Sequence, residues 1–222
     1  MLGSVAFQDR VPHARYRDIY PEEFYRKIVD RGLCVSSQNV LDLGTGTGVL
    51  PRNLYKYGAK WTGTDISPEQ IEQAQRLASD AEMDIDFQVA ATEQIDFPRN
   101  SFDVITACQC FWYFDHEKVI PSLADILRDE GKLLILYMAW LPFEDPIAGK
   151  SEELVLKYSP GWSGAGETWH GRMKSCRGVG ASLSAEELTR WDTEHRELLA
   201  RIAPDHFNIR HYAALSILSK KE

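Results

Sequence analysis

A glycine-rich turn between two acidic residues is the part of this sequence best suited to chemistry. Glycine occupies every second position from Gly44 to Gly48, Asp42 stands just before the turn, and Asp65 ends the next apolar segment. Glycines permit a tight bend and a close backbone approach to a ligand, and a helix starting there points unpaired N–H groups at a carboxylate or phosphate. An acid about 20 residues beyond such a turn binds ribose hydroxyls. The two features together predict a nucleotide-type ligand.

Simpler roles for the two acids stay open at this point. Asp42 could cap the amides of the glycine turn, and Asp65 could cap the helix that follows it. Ser67, Pro68 and Gln70 resemble the first positions of that helix, with Ser67 as the cap.

The elements that must position these residues alternate along the chain. Segments rich in β-formers or continuously apolar predict five strands: Asn39–Gly44, Trp61–Ile66, Ile85–Val89, Phe102–Cys108 and Lys132–Trp140. Helical spacing of apolar residues and capping signals predict helices at Pro21–Gly32, Val49–Tyr57, from Ser67, and at Lys118–Leu127. Such an alternation predicts an α/β fold, with a parallel sheet covered by helices on both faces.

The pattern changes after residue 142. Glu152–Tyr158 and Ser184–Ala203 are predicted helices, and Phe207–Ser219 is a final strand or a hairpin, two alternatives that the pattern does not separate. We interpret residues 1–222 as a single domain with a substrate-side insertion at about residues 142–181, since one domain is the default at this length.

Composition excludes several classes of partner and site. The net charge of −8 argues against nucleic acid, because phosphate backbones repel an acidic protein. No apolar run approaches the roughly 20 residues of a membrane-spanning helix and no secretory signal is present, so we expect a cytoplasmic protein without a membrane partner. Cys108 and Cys110 form a C-x-C pair without a second pair nearby, so we expect no metal site.

The glycine spacing separates two classes of nucleotide enzyme. Dinucleotide enzymes favour G-x-G-x-x-G, whereas this turn reads G-x-G-x-G. The stretch VLDLGTGTG at residues 40–48 resembles the first motif of the class I S-adenosylmethionine-dependent methyltransferases, in the small-molecule group called type 11. GTDIS at 63–67 is similar to that family's ribose motif, ATEQIDFP at 91–98 with NSFDVI at 100–105 to its adenine-side motif and fourth strand, and LRDEGKL at 127–133 to its approach to the fifth strand.

This resemblance spans about residues 39–136 and implies a fold and a cofactor. The fold would be a Rossmann-like, doubly wound, seven-stranded sheet, mostly parallel with an antiparallel last strand. The cofactor would be S-adenosylmethionine. The resemblance assigns its binding to Asp42, Gly44, Thr45, Gly46, Asp65, Ile66, Gln70, Thr92, Glu93, Cys108 and Gln109.

Within that set the resemblance implies separate roles. The glycine turn would line the amino-acid end of the cofactor, and Asp42 would orient its ammonium. Asp65 would hold the ribose, with Ile66 against the adenine face. Thr92 and Glu93 would reach the adenine edge, and Cys108 and Gln109 would lie at the mouth of the fourth strand.

Candidate substrate-binding residues follow the fourth strand or lie outside the sheet. Trp112 and Tyr113 come where ligands bind in open α/β sheets, although they could equally be core residues. Tyr16 could fold over the cofactor, and His170 is a candidate base, whereas His195 is expected at the surface of a charged helix. We name no catalytic residue, because only a protonated acceptor needs a base.

The predicted function is in-line transfer of a methyl group from S-adenosylmethionine to an unidentified small-molecule acceptor. An NAD(P)-dependent oxidoreductase is the alternative enzyme, disfavoured by the glycine spacing and by the lack of a Y-x-x-x-K motif. A non-catalytic S-adenosylmethionine-binding protein is the alternative from another class. The sequence does not indicate an oligomeric state.

Overall fold

The computed structural model describes residues 20–159, 182–203 and 211–220, together with residues 173, 179, 207 and 209. The chain divides into two compact units. One comprises residues 20–137 and 213–220, and the other comprises the described residues between 138 and 212.

The described residues form six strands and six α-helices. In chain order they are α1 (Glu22–Val29), β1 (Asn39–Leu43), α2 (Val49–Leu54), β2 (Lys60–Asp65), α3 (Pro68–Asp80), β3 (Asp86–Val89), β4 (Phe102–Cys108), α4 (His116–Ile126), β5 (Leu127–Trp140), α5 (Pro146–Tyr158), α6 (Ala185–Ile202) and β6 (His211–Leu218). Short 3₁₀ turns occupy Tyr55–Tyr57, Thr92–Gln94 and Phe111–Tyr113.

The sheet has the strand order β3-β2-β1-β4-β5-β6. The first five strands in that order pair in parallel, and β6 is antiparallel. The order reverses between β1 and β4, and ligands of open α/β sheets bind outside the carboxyl ends of the strands at such a switch point. The α/β, Rossmann-like prediction is confirmed, while the seven-strand expectation is not, because six strands lie in the described residues.

Alternating strand residues build the two cores that enclose the sheet. On one face, Val40, Val104 and Leu134 pack with apolar residues of α1 and α2. On the other face, Leu41 and Ile105 join a cluster with apolar residues of α4. Successive strand side chains point to opposite faces, so one continuously apolar strand serves both cores.

Helix starts follow the predicted capping residues. The Ser67 side chain accepts from the Gln70 amide at the start of α3, with Pro68 in the first turn. Ser184 and Glu187 form a complete capping box at the start of α6. Capping is local in sequence, which is why these starts could be predicted to the residue.

Two predicted elements start at least five residues earlier in the structure than expected. β5 starts at Leu127 rather than at Lys132, because Leu127 pairs with Phe102 before the register shifts. α5 begins at Pro146, since the Asp145 carboxylate accepts from the amides of Ile147 and Ala148. Of the two alternatives for the final element, strand or hairpin, the described residues show a strand, β6.

The second unit has its own apolar cluster. Trp140, Val155 and Trp191 are buried there along with Met173 and Val179. No helix among the described residues is long and apolar enough to cross a bilayer.

Two glycines of the turn after β1 differ in what surrounds them, and this gives a stability prediction. Both have positive φ, +57° at Gly46 and +74° at Gly48. A Cβ at Gly48 would lie 2.6 Å from Cζ of the buried Phe87, whereas a Cβ at Gly46 would meet nothing within 4 Å. We expect Gly46→Ala to cost about 1–2 kcal/mol through left-handed strain alone and Gly48→Ala about 2–4 kcal/mol, because overpacking adds to it.

Urea unfolding of the two variants, without ligand, measures this difference. Equal destabilisation by the two substitutions would contradict the described packing of Phe87 against the turn.

Candidate functional site

The turn after β1 and the ends of β2 and β4 meet at the carboxyl edge of the sheet. The Asp65 carboxylate ties two of these segments together, because its Oδ2 accepts from the Gly46 amide at 2.9 Å. Its Oδ1 accepts from the Ser67 amide, also at 2.9 Å, so Asp65 also supports the start of α3. The alternative role of Asp65 as a cap and its role in the turn therefore coexist.

Asp65 retains capacity for a ligand. Each ionised carboxylate oxygen has two acceptor positions, and each Asp65 oxygen has one backbone N–H partner. The half-buried carboxylate can therefore still accept hydrogen bonds from a diol.

Asp42 lies inside the sheet with 2% of its surface exposed. Its Oδ2 accepts from the Thr45 hydroxyl at 2.7 Å, and its Oδ1 accepts from the Thr106 hydroxyl at 2.6 Å. Burial raises the pKa of the Asp42 carboxyl from 3.8 to about 7; the two threonine hydrogen bonds oppose that rise, and the charge of Asp65 adds to it. Within the described residues, the hydrogen-bond partners of Asp42 are therefore side-chain hydroxyls rather than backbone amides of the turn.

The fit of an adenosyl amino acid can be tested on these residues. Open space lies where a Gly46 side chain would project, which leaves room for a ligand against the turn. A buried acid, Asp42, suits an ammonium, and Asp65 suits a ribose diol. The residues at the carboxyl edge therefore fit S-adenosylmethionine.

The residues predicted to contact adenine differ in how exposed they are. Ile66 is 73% exposed, so its side chain is accessible to a ligand. Thr92 is buried in a 3₁₀ turn, and the Glu93 carboxylate accepts from the Asp115 amide at 2.9 Å, next to α4. Gln70 is half-buried in the first turn of α3, where its backbone N–H donates to the Ser67 hydroxyl.

The segment after β4 closes the edge of the site. Gln109 has φ +62°, an uncommon left-handed conformation, and its amide donates to the Leu136 carbonyl. The Cys108 thiol lies 3.4 Å from the Tyr20 hydroxyl. The Cys110 thiol donates to the Leu43 carbonyl at 3.1 Å and lies against Gly44, where a Cβ would come within 2.9 Å of Sγ.

The four aromatic residues after β4 divide into two pairs. Phe111 and Phe114 pack on the core around α4, as the packing alternative expects. Trp112 and Tyr113 are exposed by 45% and 59%, and the Trp112 ring meets Tyr137 edge-on at 5.2 Å. The exposed pair is thus available to an acceptor.

The remaining candidates belong to the second unit or lie outside the described residues. Tyr16 and His170 lie outside the described residues. The surface expectation for His195 is wrong, because the residue is fully buried. Its Nε2 lies 3.0 Å from the Ser151 hydroxyl, and its ring lies 4.7 Å from the Trp191 ring at a tilt of 30°. His195 is one turn from Trp191 on α6, so it belongs to the apolar stripe of that helix.

Sequence reasoning missed Thr106 and Cys110. Thr106 is a polar residue between the apolar Ile105 and Ala107 of the strand FDVITAC, and that position was a usable signal. Its partner could not be read from the sequence, because Thr106 and Asp42 face each other only through the register of β1 and β4. Among the described residues no group of three or more His, Cys, Asp or Glu could hold a metal ion.

Known proteins resemble this chain over the same region. Residues 41–135 match the family model described as a methyltransferase domain. A demethylmenaquinone methyltransferase of Thermus thermophilus is 33% identical over 114 residues, which are 50% of this chain and 52% of that protein. A ubiquinone biosynthesis O-methyltransferase of Coxiella burnetii is 30% identical over 108 residues, which are 48% of this chain and 46% of that protein.

The chain thus spans about half the length of the curated relatives it matches. The crystal structure of YcgJ from Bacillus subtilis covers 90% of this chain and 99% of that one, with a TM-score of 0.55 and 18% identity, and supports the fold. Residues 41–135 of this chain are thus similar to a methyltransferase domain, in agreement with the motif resemblance of the sequence.

Proposed function

We propose that this protein transfers a methyl group from S-adenosylmethionine to a small-molecule acceptor. The observation that carries the proposal is the arrangement at the carboxyl edge of the sheet. A buried acid, Asp42, and a second acid, Asp65, flank a glycine turn that Asp65 itself holds through the Gly46 amide. The two named relatives act in ubiquinone and menaquinone pathways according to their names, which supports a small acceptor for this chain too.

The residues of the site would act mainly by positioning. When bound, S-adenosylmethionine supplies an electrophilic methyl group on a positively charged sulfur. Asp42 holds the ammonium end, Asp65 holds the ribose, and the open space at Gly46 admits the chain between them. Alignment of this kind can supply roughly 7–11 kcal/mol in favourable cases. The site would hold the acceptor in line with that methyl group, and the cofactor's sulfur would keep the electron pair of the carbon–sulfur bond.

The acceptor would lie beside the exposed aromatic pair Trp112 and Tyr113. Both residues follow β4, at the edge of the sheet where the cofactor-binding residues converge. The other two substrate candidates, Tyr16 and His170, stay predictions. So do the cytoplasmic location and the interpretation of one domain with an insertion at residues 142–181.

Thermal unfolding with different cofactors distinguishes this function from the oxidoreductase. We expect S-adenosylmethionine, at about 100 times its Kd, to raise Tm by about 5–10 °C, because a ligand that binds only the folded state stabilises it. NAD and NADP should leave Tm unchanged. Stabilisation by a nicotinamide cofactor, with no response to S-adenosylmethionine, would overturn the proposal.

Turnover distinguishes the enzyme from a non-catalytic binding protein. A screen of phenols, amines and carboxylates, with detection of S-adenosylhomocysteine, should find an acceptor-dependent product. Tight cofactor binding without product from any acceptor class would favour the binding protein.

A further inference from the structure

Two threonine hydroxyls clamp the buried Asp42 carboxylate from opposite sides. Thr45 comes from the glycine turn, and Thr106 comes from the middle of β4, 64 residues after Asp42. Thr106 and Asp42 are direct partners in the parallel register of β1 and β4. Both threonines are themselves buried, so water does not compete for these two hydrogen bonds.

The short distances indicate which form of Asp42 the clamp favours. The Thr106 hydroxyl lies 2.6 Å from Asp42 Oδ1 but 3.4 Å from the Leu41 carbonyl, so its hydrogen is better directed at the carboxylate. Hydroxyls that donate to a carboxylate stabilise its charged form, and such hydrogen bonds are stronger than neutral ones. In this position they counteract the effect of burial, which favours the neutral acid.

We propose that Thr106 is a positioning residue that keeps Asp42 charged and correctly oriented for the cofactor's ammonium, and thereby sets the pH range in which the protein binds S-adenosylmethionine. This inference rests on the proposed function. Thr106 would thus affect cofactor binding through Asp42, without touching the cofactor itself.

The other titratable groups around Asp42 do not stabilise its charged form. Asp65, at the end of β2, disfavours a second negative charge. Burial raises the pKa of the Cys34 thiol, which precedes β1, and of the Cys110 thiol, which follows β4, so both thiols stay neutral near pH 7. Among the described groups around Asp42, the two threonine hydroxyls are the ones that favour its charge.

Isothermal titration calorimetry with S-adenosylmethionine between pH 6 and 8.5 tests the proposal on three variants. Thr106→Val keeps the shape of the side chain but removes the hydroxyl, whereas Thr106→Ser keeps the hydroxyl and removes the methyl group. Thr64→Val is the matched control, because Thr64 is an equally buried strand threonine whose hydroxyl has no hydrogen-bond partner among the described residues.

Loss of one hydrogen bond to the charged form should shift the midpoint of the pH dependence upward by about one unit. Thr106→Val should then bind about fivefold more weakly than wild type at pH 7 and within about twofold at pH 8.5, since the carboxylate is recovered there. Thr106→Ser and Thr64→Val should follow the wild-type curve.

Each outcome of the titration has one interpretation. Equal weakening by Thr106→Val at every pH, or no weakening at all, would overturn the clamp while wild-type binding preserves the proposed function. Absence of binding by the wild type at every pH would instead overturn the proposed function. The ¹³C shift of the Asp42 carboxyl, titrated in the ligand-free Thr106→Val protein, gives a second test: an unchanged midpoint contradicts the clamp.

Discussion

Asp65→Ala is expected to weaken S-adenosylmethionine binding by at least about 100-fold, because two charge-assisted hydrogen bonds to a ribose diol are lost together. The substitution also releases the Gly46 amide from Oδ2, so the turn loses the tether that shapes it. Calorimetry at pH 7.5 measures the change in affinity.

Two comparisons separate the ligand contact from the tether. Asp65→Asn keeps an oxygen that can accept from the Gly46 amide but loses the charge, so it should bind more weakly than wild type and more tightly than Asp65→Ala. Asp86→Ala removes an exposed acid from the start of the neighbouring strand β3 and should leave affinity unchanged. Wild-type affinity in Asp65→Ala would remove the ribose assignment.

A smaller loss of stability accompanies the change at residue 65. The Ser67 amide donates to Asp65 Oδ1 at the start of α3, and loss of such a partner costs about 1 kcal/mol. Circular dichroism should therefore show a folded Asp65→Ala protein. Complete unfolding would mean that Asp65 is needed for the fold itself, and Asp65→Asn would then carry the test of binding.

Local signals explain what the sequence predicts well. The cap at Ser67 acts on residues within one turn of it, and β4 is delimited by its own run of apolar and β-branched residues. Glycine spacing and the following acid likewise lie within one strand-turn-helix unit, so the cofactor edge of the site could be predicted.

The features that could not be predicted depend on contacts between segments far apart in the sequence. The Glu93 carboxylate meets the Asp115 amide across 22 positions, and Thr106 reaches Asp42 across 64. Neither pairing leaves a pattern in a single sequence, because strand register and loop placement decide them. The burial of His195 was hidden for the same reason, since its partner Ser151 lies on another helix.

Asp42→Asn is expected to stabilise the ligand-free protein while abolishing its affinity for the cofactor. In the wild type, burial raises the pKa of the Asp42 carboxyl to about 7. The folded state therefore holds this proton more tightly than the unfolded state does, and stability falls as pH rises from about 4 to about 7. Asparagine has the same shape and no charge to bury.

The free energy of unfolding of Asp42→Asn should exceed that of the wild type by a margin that grows by about 3 kcal/mol between pH 4.5 and pH 7.5, since one pKa unit corresponds to about 1.4 kcal/mol. Urea unfolding at the two pH values measures this margin. Asp86→Asn, at an exposed carboxylate, should show no such growth.

A margin independent of pH would contradict the buried position of Asp42 between Thr45 and Thr106. A growing margin with unchanged cofactor affinity would instead separate Asp42 from ligand binding. If the margin grows and cofactor affinity is lost, the Asp42 carboxylate destabilises the ligand-free protein above neutral pH. It is present because it binds the ammonium of the cofactor. The charge of Asp42 would then be kept for ligand binding although it lowers the stability of the fold. Strained backbone conformations at functional sites are kept in the same way.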